Sequence, residues 1–96
     1  MIKLRVLFFR EDGWWIAQCL EHDIAVQALS TPGATHGLVE ALRARTRMAN
    51  VMVVDPFAIP PAPASVIKDW DDAGELEEWW VTTRDFQLQC RTLEDI

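Results

Sequence analysis

Cys19-Leu20-Glu21-His22-Asp23 sets a thiol, an imidazole and two carboxylates within five positions. Such donors could arm a thiolate or hold a metal ion. A cysteine nucleophile needs a base beside it, and only His22 and His36 could supply one. A closed zinc site needs four ligands, yet no second donor pair stands at ligand spacing and Cys90 is isolated. A metal-dependent nuclease built on Glu21, His22 and Asp23 is the weakest reading that these residues allow. Asp69, Asp71 and Asp72 lack the glycine and the terminal glutamate of a calcium loop. Gly33 and Gly37 form neither of the glycine-rich phosphate motifs. The expectation is therefore a chain without catalytic residues, metal or cofactor, in which Cys19 is a small buried residue of a strand.

The tryptophans are the more informative group. Five occur in 96 residues, four of them as the pairs Trp14-Trp15 and Trp79-Trp80. Neighbours on a strand point to opposite faces, so one ring of each pair enters the core and the other is offered outward. The outward ring either packs beneath the C-terminal segment or anchors a partner, a role in which Trp is enriched. Trp14, Trp79 and Trp80 are the candidate partner-binding residues.

Several elements must position these rings. Met1 to Arg10 alternates, with Ile2, Leu4, Val6 and Phe8 on one face, as in a strand. Glu11-Asp12-Gly13 supplies a turn, and Trp14 to Leu20 returns antiparallel. Glu21 to Asp23 turns the chain again into a third strand, Ile24 to Ser30. At Thr31-Pro32 the period changes: the threonine hydroxyl can accept from a free backbone N–H, and proline is pre-set for the first helical turn. Ala34, Leu38, Ala41, Leu42, Met48, Ala49 and Met52 then form one apolar stripe, with Glu40 and Arg43 spaced to pair on the outside and Arg45 pointing toward the stripe. The helix must end before Asp55-Pro56. Residues 55–64, with prolines 56, 60, 61 and 63, read as an extended connector. Val66, Ile67, Trp70 and Ala73 give a short second helix that Gly74 can end. Trp79 to Thr92 predicts a final strand, followed by a frayed tail over 93–96.

The chain is long enough for one domain, divided here into a core over residues 1–54 and a proline-led extension over residues 55–96 that packs on the core or on a partner chain. Net charge is −6, and it is unevenly placed: residues 1–64 carry six acidic and six basic side chains, residues 65–96 nine and three. Affinity for nucleic acid comes largely from Lys and Arg neutralising phosphates, so DNA binding by this chain alone is disfavoured. No apolar run approaches the roughly 20 residues of a membrane span, and MIKLRVLFF alternates like a strand rather than reading as a leader. A soluble cytoplasmic protein with reduced Cys19 and Cys90 is expected.

Gly13-Trp14-Trp15-Ile16-Ala17-Gln18-Cys19, a turn, Ile24-Ala25-Val26-Gln27-Ala28, and Ser30-Thr31 opening a helix together resemble the HicB-like antitoxin domain. Trp15 and Ala17 match that family's Trp-x-Ala on strand two, and Val26-Gln27 with Ser30-Thr31 match its later part. Ala28 stands where the family commonly has glycine, and Pro32-Gly33-Ala34-Thr35 replaces a glutamate-rich first turn. The family often carries a DNA-binding C-terminal module, where this chain is acidic, and strand one has no central carboxylate of the ribonuclease H kind. The resemblance implies an α+β fold: a three-stranded antiparallel meander with a helix packed on one face, a partial ribonuclease-H-like βββα unit, here followed by a short helix and an extra strand. It also implies a non-catalytic module of a bacterial toxin-antitoxin system that masks a small basic ribonuclease toxin. A stand-alone homo-oligomer, a dimer or larger, without a toxin is the alternative.

Overall fold

The computed structural model describes residues 2–52, 59–74 and 78–93, the side chains of 49–52 excepted. Alternating apolar residues over Ile2–Glu11 form β1, and the chain reverses at Asp12 and Gly13, both with positive φ (51° and 82°), into β2, Trp14–Cys19. Two positive-φ residues give a hairpin turn whose twist matches that of its strands. The Cys19 N–H donates to the Ile24 carbonyl at 2.9 Å, closing the second turn into β3, Ala25–Ala28. The expected antiparallel meander is thus present, in the register Phe8 opposite Ala17 and Ala17 opposite Val26.

The sheet does not stop at three strands. Trp79 to Thr92, expected as one strand, is a hairpin of β4, Trp79–Thr82, and β5, Phe86–Thr92. Its turn is held by Thr83, whose N–H donates to the Phe86 carbonyl and whose hydroxyl oxygen accepts from the Phe86 N–H. β5 enters beside β1 and parallel to it, so the sheet is five-stranded and mixed, in the order β3-β2-β1-β5-β4. β1 is therefore central, with Leu4, Val6 and Phe8 buried on one face and Leu7 on the other.

Helix α1, Thr31–Met52, covers the first face, packing Ala34, Leu38, Val39 and Leu42 against Leu4, Val6, Phe8, Ala17, Cys19, Phe86, Leu88 and Cys90. Its cap is Ser30 rather than Thr31: the Ser30 Oγ accepts from the Gly33 N–H at 3.1 Å. The stripe also differs from expectation. Val39 is buried, whereas Met48 is 63% exposed and Arg45 is exposed too. A 22-residue helix is about 33 Å long, while β2 and β3, of six and four residues, run about 20 and 13 Å, so its last turns extend past those two strands. The expected helix end before Asp55-Pro56 lies outside the described residues, as does the tail over 94–96.

Helix α2, Ala64–Ala73, covers the second face, where Val66, Ile67, Trp70 and Ala73 pack on Leu7, Phe9, Leu20 and Leu93. The spacing of those four residues is the one read from the sequence, and Gly74 follows the helix with φ 68°. The described part of the connector is pinned to the second turn. The Ala62 N–H donates to the Leu20 carbonyl and the Asp23 N–H to that of Pro60, each at 2.9 Å. No helix among the described residues is long and apolar enough to cross a membrane.

Candidate functional site

Strand alternation assigns the tryptophans to faces. Trp15 and Trp79 lie on the α1 side, half-buried against the core, and Trp79 meets Phe8 with ring centroids 5.1 Å apart. Arg10 lies 5.3 Å from the centre of the Trp15 ring. Trp14 and Trp80 point to the opposite face, the one that carries α2, and are 39% and 54% exposed. Of the three candidate partner-binding residues, Trp14 and Trp80 thus share a face and Trp79 stands on the other.

Between those two rings, α2 turns Asp71 and Asp72 to solvent, with Asp72 3.6 Å from Lys68. Beneath it lies a polar cluster. The Arg91 guanidinium sits 4.3 Å from the centre of the buried Trp70 ring and donates through Nη1 to the Trp70 carbonyl at 3.2 Å. Arg5 approaches the same ring at 5.9 Å. Each cation has its own carboxylate: Arg5 Nε donates to Glu21 at 2.6 Å and Arg91 Nε to Glu78 at 3.0 Å. The Gln89 amide, followed by Arg91, hydrogen-bonds the Glu78 carboxylate and holds its pKa below the ordinary 4.5. Sequence reading missed Arg5, Trp70, Arg91 and Glu78 as one group. The available signal was the odd-position series Arg5, Leu7, Phe9 on β1 and Gln87, Gln89, Arg91 on β5, which marks a second, partly polar face.

The dense stretch at Cys19 does not converge. Cys19 is fully buried on the α1 face, and burial raises its thiol above the ordinary 9.0. Glu21 is bound to Arg5, through both the Arg5 N–H and Nε. The His22 Nδ1 lies 3.2 Å from the Ile59 carbonyl, and Asp23 accepts from the Gln18 amide at 3.0 Å. Among the described residues no group of three or more His, Cys, Asp or Glu is placed to hold a metal ion.

Cys90 is buried too, its thiol pushed up to about 12 by burial. Cys19 and Cys90 lie opposite Val6 from either side. Their Cα atoms are thus two strand spacings apart, about 9.6 Å, beyond the roughly 7 Å that a disulfide bridges.

The basic residues on α1 also part company. Arg43 and Arg47 line a groove of about 520 Å³ with Arg84 and Asp85, while Arg43 pairs with Glu40 at 3.2 Å as the i,i+3 spacing implied. No family model, curated protein or solved structure matches the chain.

Proposed function

We propose that this chain is a non-catalytic protein-binding module that resembles the HicB-like antitoxins, and that it masks a small basic ribonuclease toxin in the cytoplasm. The observation that carries this reading is the α2 face, where two exposed tryptophans, Trp14 and Trp80, flank a helix presenting Asp71 and Asp72. Exposed indoles provide anchors, and the acidic helix favours and steers a basic partner. The order β1-β2-β3-α1 along the residues that carry the resemblance supports the same reading. Operator binding is not part of it: in the last third only Lys68, Arg84 and Arg91 are basic, and Arg91 is committed to Glu78 and Trp70.

The test is co-expression with the product of the neighbouring reading frame, followed by calorimetry. A short basic ribonuclease-like partner should bind with an affinity that falls as salt rises. Trp14→Ala and Trp80→Ala, both folded by circular dichroism, should weaken it. A neighbour that binds with undiminished affinity to both variants would sink the assignment of this face. The alternative, a stand-alone homo-oligomer without a toxin, is favoured by a different observation, the outer edge of β4, which pairs with no strand among the described residues.

A further inference from the structure

β4 is the outermost strand on its side of the sheet, and the direction of its main-chain groups follows from one hydrogen bond. The Thr83 N–H donates to the Phe86 carbonyl at 2.8 Å. In an antiparallel ladder the N–H and C=O of a residue point the same way and alternate along the strand. With Trp79 opposite Cys90 and Val81 opposite Leu88, these two residues bond to β5 as Thr83 does. Trp80 and Thr82 therefore aim their N–H and C=O groups away from the sheet.

Within the strand itself, this short edge lacks the charge and proline that commonly protect one. Trp79-Trp80-Val81-Thr82 also holds an indole that is 54% exposed. The other edge differs. On β3 the Cys19 to Ile24 bond sets Ala25 and Gln27 outward, a small side chain and a polar one, with no ring to bury.

We propose that β4 pairs with β4 of a second copy of this chain, antiparallel about a two-fold axis at Val81, to form one continuous ten-stranded sheet. In that register Trp80 stands opposite the second copy's Thr82, and Thr82 opposite its Trp80. Each of the two pairs exchanges both main-chain hydrogen bonds, so four bonds form and every outward group of the edge is satisfied. Val81 meets Val81 on the α1 side. The two Trp80 rings come to lie beside the Thr82 side chains on the α2 side, where cross-strand packing of an aromatic with a β-branched residue is favourable. No like charges oppose one another within the strand. The exposed Arg84 of each copy is carried toward the end of β4 at which the other's Glu78 stands, an opposite charge, with Asp85 exposed beside it. A four-residue strand of unrelated sequence would lack this reciprocal match, and that favours a second copy as the occupant. Trp80 belongs to both this seam and the face proposed for a toxin, so the self-pairing is tested on the chain alone, where its failure is distinct from a failure of the toxin reading.

Sedimentation equilibrium of the full chain across the micromolar range, with amide hydrogen exchange, tests it. The expected species has twice the 11.0 kDa chain mass, and the Trp80 and Thr82 amides become more protected as concentration rises. Trp80→Lys and Thr82→Lys, checked for native circular dichroism, should each weaken the dimer by about tenfold or more by placing a charge at the seam. Thr82 is exposed, so its variant keeps the test valid if Trp80→Lys is poorly folded. Gln27→Lys on β3 should leave the mass unchanged. A monomer at every concentration overturns the proposal. So does a dimer in which Trp80 and Thr82 exchange as fast as in the dilute protein, or one that only Gln27→Lys dissociates.

Discussion

Arg91 donates to the Trp70 carbonyl while its guanidinium lies 4.3 Å from the centre of the same residue's ring, so one side chain ties α2 to β5 twice. Trp70 is 3% exposed and is the largest residue that α2 buries. Trp70→Ala should cost about 3–5 kcal/mol by leaving a cavity, and it also removes the aromatic partner of Arg91. Thermal melting checks this, with a fall on the order of 12 °C or more expected for a chain of this size. A shift of a few degrees would mean that α2 is only loosely docked.

Glu78 gives the fold an acid-sensitive contact. The Gln89 amide and the Arg91 guanidinium hold its folded pKa below the ordinary 4.5. A depressed carboxylate contributes stability that is fully present above the unfolded value and is lost as pH falls through the folded value. Urea titrations of the wild type should therefore show a declining midpoint below about pH 4.5, and Glu78→Gln should flatten part of that decline. An unchanged acid limb in the variant would place the sensitivity in other carboxylates.

Neither cysteine should react or cross-link while the chain is folded. The Cys90 thiol is pushed up to about 12 and Cys19 is raised as well, both by burial, and neither is accessible. Ellman's reagent should titrate two thiols in denaturant and almost none in buffer. Mild oxidation should leave the denatured chain at its single-chain mass, with no covalent cross-link. A fast-reacting thiol in native buffer would show that α1 opens readily.

Two glycines on α1 should respond in opposite ways to alanine. A Cβ on Gly37 would meet Val26 at 3.6 Å, an ordinary contact, so Gly37→Ala should stabilise the helix by about 0.5–1 kcal/mol. On Gly33 it would lie 3.1 Å from the capping Ser30 Oγ and 3.2 Å from the Ala28 Cβ, so Gly33→Ala should bring no gain or a loss. Chemical denaturation of both variants decides the matter. Equal gains would mean that the helix start shifts freely on β3.

Truncation after residue 64 should abolish folding rather than merely expose a surface. It removes α2, β4 and β5, and β5 pairs with seven residues of β1, from Ile2 to Phe8. Far-ultraviolet circular dichroism of the 1–64 fragment should show a largely unfolded chain. A cooperative melt would mark the first 64 residues as a folding unit of their own.

Local chemistry in the sequence determined the meander, both helices and the opposite facing of Trp14 and Trp15, while Trp79, which it offered to a partner along with Trp80, packs on Phe8 in the core. Asp12-Gly13 can take positive φ, the alternation of Trp14 to Cys19 sets which rings turn inward, and Val66, Ile67, Trp70 and Ala73 share one side of α2 at helical spacing. These are properties of residues near one another in the chain. What the sequence left open depends on pairings between distant residues. Whether Phe86 to Thr92 lies at an edge or beside β1 is a choice among strand partners of similar alternation, and it is settled where Phe86, Leu88 and Cys90 fill the layer that Leu4 and Val6 share with α1. The Arg5, Trp70 and Arg91 cluster exists only once that choice brings three separate elements onto the second face. Met48 shows the same dependence in reverse: periodicity placed it on the apolar stripe, and the fold leaves it exposed.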